Sequence, residues 1–187
     1  MIRAFLAIDL PASLRSVLSW AQEELKQSGA DVKWVPPGNI HITLKFFGNI
    51  TEAQVEDIAQ AAQSVTAAQA PFALMITDAG AFPSPKNPRV LWLGVGGDLT
   101  VVRDFHRRLE AAFASLGFAP EDRPFSPHLT LGRVKSQTGR PELTRRLVTL
   151  PSPDCDPFRV SEVILFRSNL SPQGATYLPL KVIPLGG

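Results

Sequence analysis

Two short runs carry the residues best suited to chemistry, HITLKFFG beginning at His41 and HLTLGRV beginning at His128. Read as strands with a period of two, the first run puts His41, Thr43 and Lys45 on one face. Ile40, Ile42, Leu44 and Phe46 then fall on the core side. The second run repeats the first half of that pattern, with His128 and Thr130 on one face and Leu129 and Leu131 on the other. An imidazole and a hydroxyl about 7 Å apart along a strand, presented twice, suit acid–base work on an anion.

One imidazole of such a pair can be neutral while the other is protonated near neutral pH. Set on opposite sides of a phosphorus atom, the neutral ring takes a proton from an attacking oxygen and the charged ring gives one to the leaving oxygen. The threonine hydroxyls can donate to non-bridging oxygens, and Lys45 and Arg133 can neutralise the remaining charge. Arg133 has the wrong parity for this on a straight strand, so a bulge or twist at Gly132 is needed to turn it. Other readings of the pair stay open. A metal site needs further ligands, and neither strand has an Asp, Glu or Cys in register. Serine nucleophilic catalysis lacks its G-x-S-x-G signature. Two histidines satisfied inside a core is the plain structural alternative. The third histidine, His106, lies in VRDFHRRLE among arginines and reads as an exposed helix residue.

Several elements must position these residues. IRAFLAI (2–8) reads as a buried strand, and a helix ending near Gly29 follows. VKWV precedes the first motif. Thr51 and Gln54 resemble a capping box that opens a helix carrying Val55, Ile58, Ala62 and Val65. FALMIT (72–77) and RVLWLGV (89–95) read as strands, with DAGAFPSPKNP between them as a loop. In that loop Phe82 is a candidate for stacking a nucleobase. Asp98 is placed to cap a helix that stops at Gly117, and Pro141 suits the start of another. VSEVILFRS and TYLPLKVI form a closing hairpin around NLSPQG. Roughly eight strands and four helices, with hairpin as well as helical connections, make an α+β fold. The two motif strands, each preceded by a helix and a proline-bearing loop, suggest two duplicated lobes that meet in a groove.

The 187 residues fit one bilobal domain, and 44% hydrophobic residues argue against disorder. No apolar run approaches the ~18 residues of a membrane span, and Asp9 and Pro11 interrupt the N-terminal run before it resembles a signal peptide. The single cysteine, Cys155, cannot form an internal disulfide, which fits a cytoplasmic setting. A net charge of +2 is too small for an extended nucleic-acid surface. Basic residues do gather at Arg103, Arg107, Arg108, Arg133, Lys135, Arg140, Arg145 and Arg146, either as solvated helix faces or as a mild attraction for a polyanion.

HITLKFFG and SPHLTLGRV resemble the paired HxTx motifs of the two-histidine (2H) phosphoesterases. RAFLAIDLP, VKWVPPGNIHITLKFFGNI, FPSPKNPRVLWLGV and FRSNLSPQGATYLPL extend the resemblance, in order, to the RNA 2′,3′-cyclic phosphodiesterases, also called 2′-5′ RNA ligases. The resemblance implies two pseudo-symmetric lobes of mainly antiparallel sheet with helices outside and a central groove. It also implies metal-independent opening of an RNA or nucleoside 2′,3′-cyclic phosphate to a 2′-phosphate, with no cofactor. His41 would be the proton donor and His128 the acceptor, Thr43 and Thr130 would hold the phosphate, and Arg133 would bind substrate. With a 5′-hydroxyl of RNA in place of water, the same site would make a 2′-5′ linkage without ATP. A monomer with no protein or membrane partner is expected. Two rivals remain: an esterase of another cyclic phosphate or of 2′-5′ oligoadenylate, and a non-catalytic RNA-binding module.

Overall fold

A computed structural model describes residues 1–186. The described residues form two antiparallel sheets and four α-helices in an α+β arrangement. The first sheet contains β1 (Ile2–Asp9), β3 (His41–Ile50), β8 (Glu162–Ser171) and β9 (Gly174–Pro184), in the order β3-β1-β8-β9. The second contains β2 (Val32–Trp34), β4 (Phe72–Ser84), β5 (Asn87–Gly97), β6 (His128–Val134) and β7 (Phe158–Val160), in the order β2-β6-β5-β4-β7. Each sheet thus supplies one motif strand, β3 or β6, to the groove between the lobes.

The helices are α1 (Arg15–Lys26), α2 (Glu52–Thr66), α3 (Leu99–Ala114) and α4 (Arg140–Thr149). Thr51 and Gln54 form the expected capping box: Thr51 Oγ1 accepts from the Gln54 amide at 3.2 Å, and Gln54 Oε1 accepts from the Thr51 amide at 2.9 Å. Asp98 precedes α3 but does not cap it, because its carboxylate accepts from the Ala73 amide at 2.9 Å instead. Two helices cross to the lobe they do not follow in sequence. From α1, the buried Gln22 donates to the Leu131 carbonyl of β6 at 2.9 Å and to the Val35 carbonyl at 2.6 Å. From α3, Phe113 packs edge-on against Phe47 of β3, with ring centroids 4.9 Å apart. One hydrophobic core accordingly runs through both sheets, from Leu6 and Ile42 to Leu91 and Leu129.

β1 is apolar on both faces because it is covered on both. Ala4, Leu6 and Ile8 join the main core, while Phe5 and Ala7 join Ile164 and Phe166 in a smaller cluster capped by Tyr177. The segment expected to be a loop between the fourth and fifth strands is mostly strand. β4 and β5 pair as a long hairpin out to Ser84 opposite Asn87, so Phe82 sits on the sheet opposite Val90. The missing side chain at Gly80 gives that register its room. Trp92 faces Gly80 across the hairpin, and any side chain at Gly80 would overlap the indole. The structure also adds a short strand, β7, in the proline-rich stretch that carries Cys155 into Phe158. Among the described residues no helix is long and apolar enough to cross a membrane. Gly80→Ala is expected to lower stability by roughly 1–3 kcal/mol through overpacking, measured by denaturant unfolding with tryptophan fluorescence as the probe.

Candidate active site

Both motif strands break their period at the same point. In β3 the pairing with β1 runs from Thr43 opposite Ala7 to Lys45 opposite Leu6, leaving Leu44 as an extra, bulged residue. In β6 the pairing with β5 runs from Thr130 opposite Trp92 to Gly132 opposite Leu91, leaving Leu131 as the extra residue. Each bulge lies three residues after its histidine and exchanges the faces of the residues after it, in β3 as far as a second unmatched residue, Phe47, between Phe46 opposite Phe5 and Gly48 opposite Ala4. Arg133 thereby shares a face with His128 and Thr130, as the sequence required of it. Gly132 suits the bend because a Cβ there would meet Val32 Cγ1 at 2.7 Å.

The same rule overturns two assignments in the first motif. Lys45 does not share the face of His41 and Thr43. It turns inward, 5% exposed, and its ammonium lies 3.1 Å from one oxygen of the Glu110 carboxylate and 3.2 Å from the other. It also donates to the Ala119 carbonyl at 2.6 Å. Phe46, read as core, is 42% exposed and faces the cleft, while the next residue, Phe47, is buried. Arg3 lies over the Phe46 ring with its guanidinium carbon 4.5 Å from the centroid. Counting from each histidine, Phe46 is the counterpart of Arg133.

The buried Lys45 has a different task. Glu110 accepts from the Glu121 amide at 2.8 Å, so lysine and glutamate together hold both ends of the 119–121 segment leading toward His128. His106 completes this layer and is not the exposed helix residue expected. It is 8% exposed, bonds the Leu44 carbonyl at 3.0 Å through Nε2, and stacks flat on Phe125 with centroids 4.1 Å apart. A carbonyl only accepts, so His106 Nε2 carries a hydrogen. The ring holds the carbonyl of the bulged residue itself. Burial pushes the His106 imidazole below its ordinary titration range.

The two motif histidines are fixed alike. His41 Nδ1 lies 2.8 Å from the Asn39 carbonyl, and His128 Nδ1 lies 2.8 Å from the Ser126 carbonyl, each two residues upstream. Both carbonyls accept, so each Nδ1 carries a proton and each Nε2 is the nitrogen left to exchange one. Asn39 is itself tied to β9, donating to the Ala175 carbonyl at 2.9 Å. His41 Nε2 is 3.0 Å from Thr43 Oγ1. The His41 ring stacks on Phe5 with centroids 4.8 Å apart and meets Tyr177 edge-on at 5.4 Å. Phe82 meets the His128 ring edge-on at 5.0 Å.

Burial pushes the His41 imidazole below its ordinary value, against the Asn39 carbonyl and the Asp9 carboxylate, and His128 adds to the lowering. Burial raises the Tyr177 hydroxyl, against the pull of Arg133 and Arg3, and so keeps it protonated as a potential donor. A cleft of about 330 Å³ holds His41, Thr43, His128, Thr130 and Arg133 together with Arg3, Phe46 and Tyr177. Among the described residues lining it, the fixed charges are two arginines, with no carboxylate. No group of three or more His, Cys, Asp or Glu suited to a metal occurs among the described residues.

Arg3, Phe46 and Tyr177 escaped the sequence reading. An arginine at position 3, in step with Phe5 and Ala7 on an otherwise apolar strand, was the signal available for the first of them. The basic cluster of the second half is largely spoken for: Arg107 and Arg108 pair with Asp104, Arg145 and Arg146 with Glu142, and Arg140 with Asn87.

Two lobes that each bring a His-x-Thr strand to one cationic cleft define a two-histidine phosphoesterase. The family model described as "LigT like Phosphoesterase" matches residues 8–92 and 100–177, and the chain belongs to that family. It is 42% identical over 184 residues to the RNA 2′,3′-cyclic phosphodiesterase of Methanothermobacter thermautotrophicus, covering 98% of this chain and 99% of that one. It is 36% identical to the RNA 2′,3′-cyclic phosphodiesterase of Archaeoglobus fulgidus, covering 97% of this chain and 99% of that one. Among solved structures, E. coli LigT with bound 3′-AMP superposes with a TM-score of 0.79 at 28% identity, covering 100% of this chain and 99% of that chain.

Removing the buried ammonium should be costly. Lys45→Ala is expected to lose about 3–5 kcal/mol of stability by stranding Glu110, whereas Lys45→Met with Glu110→Leu should recover most of it. Equilibrium unfolding of the single and double variants checks this.

Proposed function

We propose that this chain hydrolyses RNA or nucleoside 2′,3′-cyclic phosphate ends to 2′-phosphates without a metal ion. The observation that carries the reading is the pair of histidines, both tied at Nδ1 to a carbonyl, with their Nε2 atoms left to the same arginine-lined cleft. The names of the relatives and the 3′-AMP bound by E. coli LigT support a nucleotide substrate.

Neutral His128 takes a proton from water at Nε2 as the water attacks phosphorus. Protonated His41 gives its Nε2 proton to the departing 3′ oxygen. Thr43 and Thr130 donate hydroxyl hydrogens to the non-bridging oxygens as charge builds there, and Arg133 neutralises the phosphoryl group. The five-membered ring keeps the leaving oxygen attached to the ribose, so holding two imidazoles and one phosphorus in line supplies much of the acceleration. Burial leaves His41 short of protons in the free protein, and the anionic substrate restores them: a phosphate beside the ring favours the imidazolium. Phe5 beneath the ring and Asn39 behind it keep that imidazolium aimed. A monomer in the cytoplasm is the setting for this activity.

Each of His41→Ala and His128→Ala is expected to lose at least about 10² in kcat on a nucleoside 2′,3′-cyclic phosphate. Activity should persist in excess chelator, and a short RNA with a cyclic end should yield the 2′-phosphate alone. A 3′-phosphate product, or full activity in either histidine variant, would overturn the assignment. The proton donor has its own test, by NMR titration of the imidazoles. The His41 resonance should titrate below the ordinary imidazole range in the free protein and move upward when inorganic phosphate is added. An unmoved or falling value would remove His41 from the donor role.

A further inference from the structure

The cleft holds more positive charge than the reacting group needs. A 2′,3′-cyclic phosphate is a diester with one negative charge, and Arg133, on the face of His128 and Thr130, is enough to match it. A second fixed cation, Arg3, lines the same cleft and has no part in that chemistry. Arg3 is exposed, and among the described residues it forms no ion pair. Its guanidinium is held all the same. The Phe46 ring covers one face of it at 4.5 Å and leaves the N–H edges free. β1 sets its distance from the reacting groups: Phe5 lies beneath the His41 ring, and Arg3 precedes it on the same face, about 7 Å along the strand. Consecutive phosphates of a ribonucleotide chain have a similar spacing. Arg3 and Arg133 both pull on the Tyr177 hydroxyl, so the two charges stand around one phenol. Ser168, one residue past the partner of Ala4 on β8, also lines the cleft and adds a hydroxyl.

The leaving oxygen fixes where the substrate lies. The 3′ oxygen belongs to the terminal ribose and takes its proton from His41, so that ribose sits on the His41 side, over Phe5 and toward Arg3. We propose that Arg3 is a subsite for the phosphate on the 5′ side of the terminal nucleoside, so that the enzyme favours a cyclic end carrying that phosphate over a free nucleoside cyclic phosphate; this rests on the function proposed above. The free edge of the guanidinium suits two phosphate oxygens at once. Among the described residues lining the cleft no carboxylate competes for it. The 5′ phosphate is untouched by the reaction, so Arg3 holds it equally in the bound substrate and in the transition state. Its contribution therefore falls on KM rather than on kcat.

The test compares adenosine 2′,3′-cyclic phosphate with its 5′-phosphorylated form as substrates at low salt. The wild-type protein should favour the 5′-phosphorylated compound at least about tenfold in kcat/KM, mostly through KM. Arg3→Gln should shrink that preference to about twofold or less, and Arg3→Lys, which keeps the charge and loses the fork, should fall between. Arg123 lines a neighbouring cleft and not this one, so Arg123→Gln removes an equal charge and should keep the preference. Calorimetry with adenosine 2′-phosphate and adenosine 2′,5′-bisphosphate should give the same ratio in Kd without any turnover. Equal kcat/KM for the two substrates in the wild type overturns the inference and leaves the hydrolase intact. So does an equal loss on both substrates in the Arg3 variants, which would assign Arg3 to the reacting phosphate. Loss of the preference in Arg123→Gln also overturns it, by assigning the effect to the field of the whole surface. Absence of wild-type hydrolysis with the Kd ratio intact instead overturns the proposed function and leaves the Arg3 subsite standing.

Discussion

The site depends on one extra residue in each motif strand. Leu44 and Leu131 are unmatched in their ladders, and each reverses the strand at the third position after a histidine. Without the reversal in β6, Arg133 would point into the core and the cleft would lose that cation. Without the reversal in β3, Lys45 would project into the cleft and Phe46 into the core. The bulges are held as well as formed. Gln22 donates to the Leu131 carbonyl from α1, and His106 bonds the Leu44 carbonyl from α3. A bulge leaves backbone groups unpaired within its ladder, and in both lobes a buried side chain from a crossing helix bonds the carbonyl of the bulged residue, joined at Leu131 by the Val35 amide at 2.9 Å.

The lobes are alike in backbone and unlike in chemistry. Past the shared histidine and threonine, the first lobe offers Phe46 with Arg3 stacked on it, and the second offers Arg133. The histidine supports differ too. Phe5 and Tyr177 enclose His41, whereas Phe82 alone touches His128 among the aromatic rings. Closer packing around His41 lowers the affinity of that ring for a proton in the free protein.

Much of this was legible from letters. The alternation in HITL and HLTL, the capping box at Thr51, Pro141 near the start of α4 and the closing hairpin all depend on short-range rules, and they appear where those rules put them. Lys45 and Phe46 were misread because a bulge is invisible to a period-two count. Arg133 was legible from its charge and from its match to the family's second motif, and Gly132 offered the bend that turns it. His106 was misjudged from its arginine neighbours, although Val102, Leu109 and Phe113 place it on the buried stripe of α3. The DAGAFPSPKNP segment looked like a loop by composition, yet ladder pairing carried it into a hairpin. Local turn chemistry gave way there to sheet contacts, which no single segment encodes.

The exchange of helices between lobes bears on how the enzyme works over time. With α1 fastened to β6 and α3 fastened to β3, the two halves are laced together and share a single interior. Prising them apart would bare to water the apolar residues that both sheets share, so widening the slot costs burial on both sides of it.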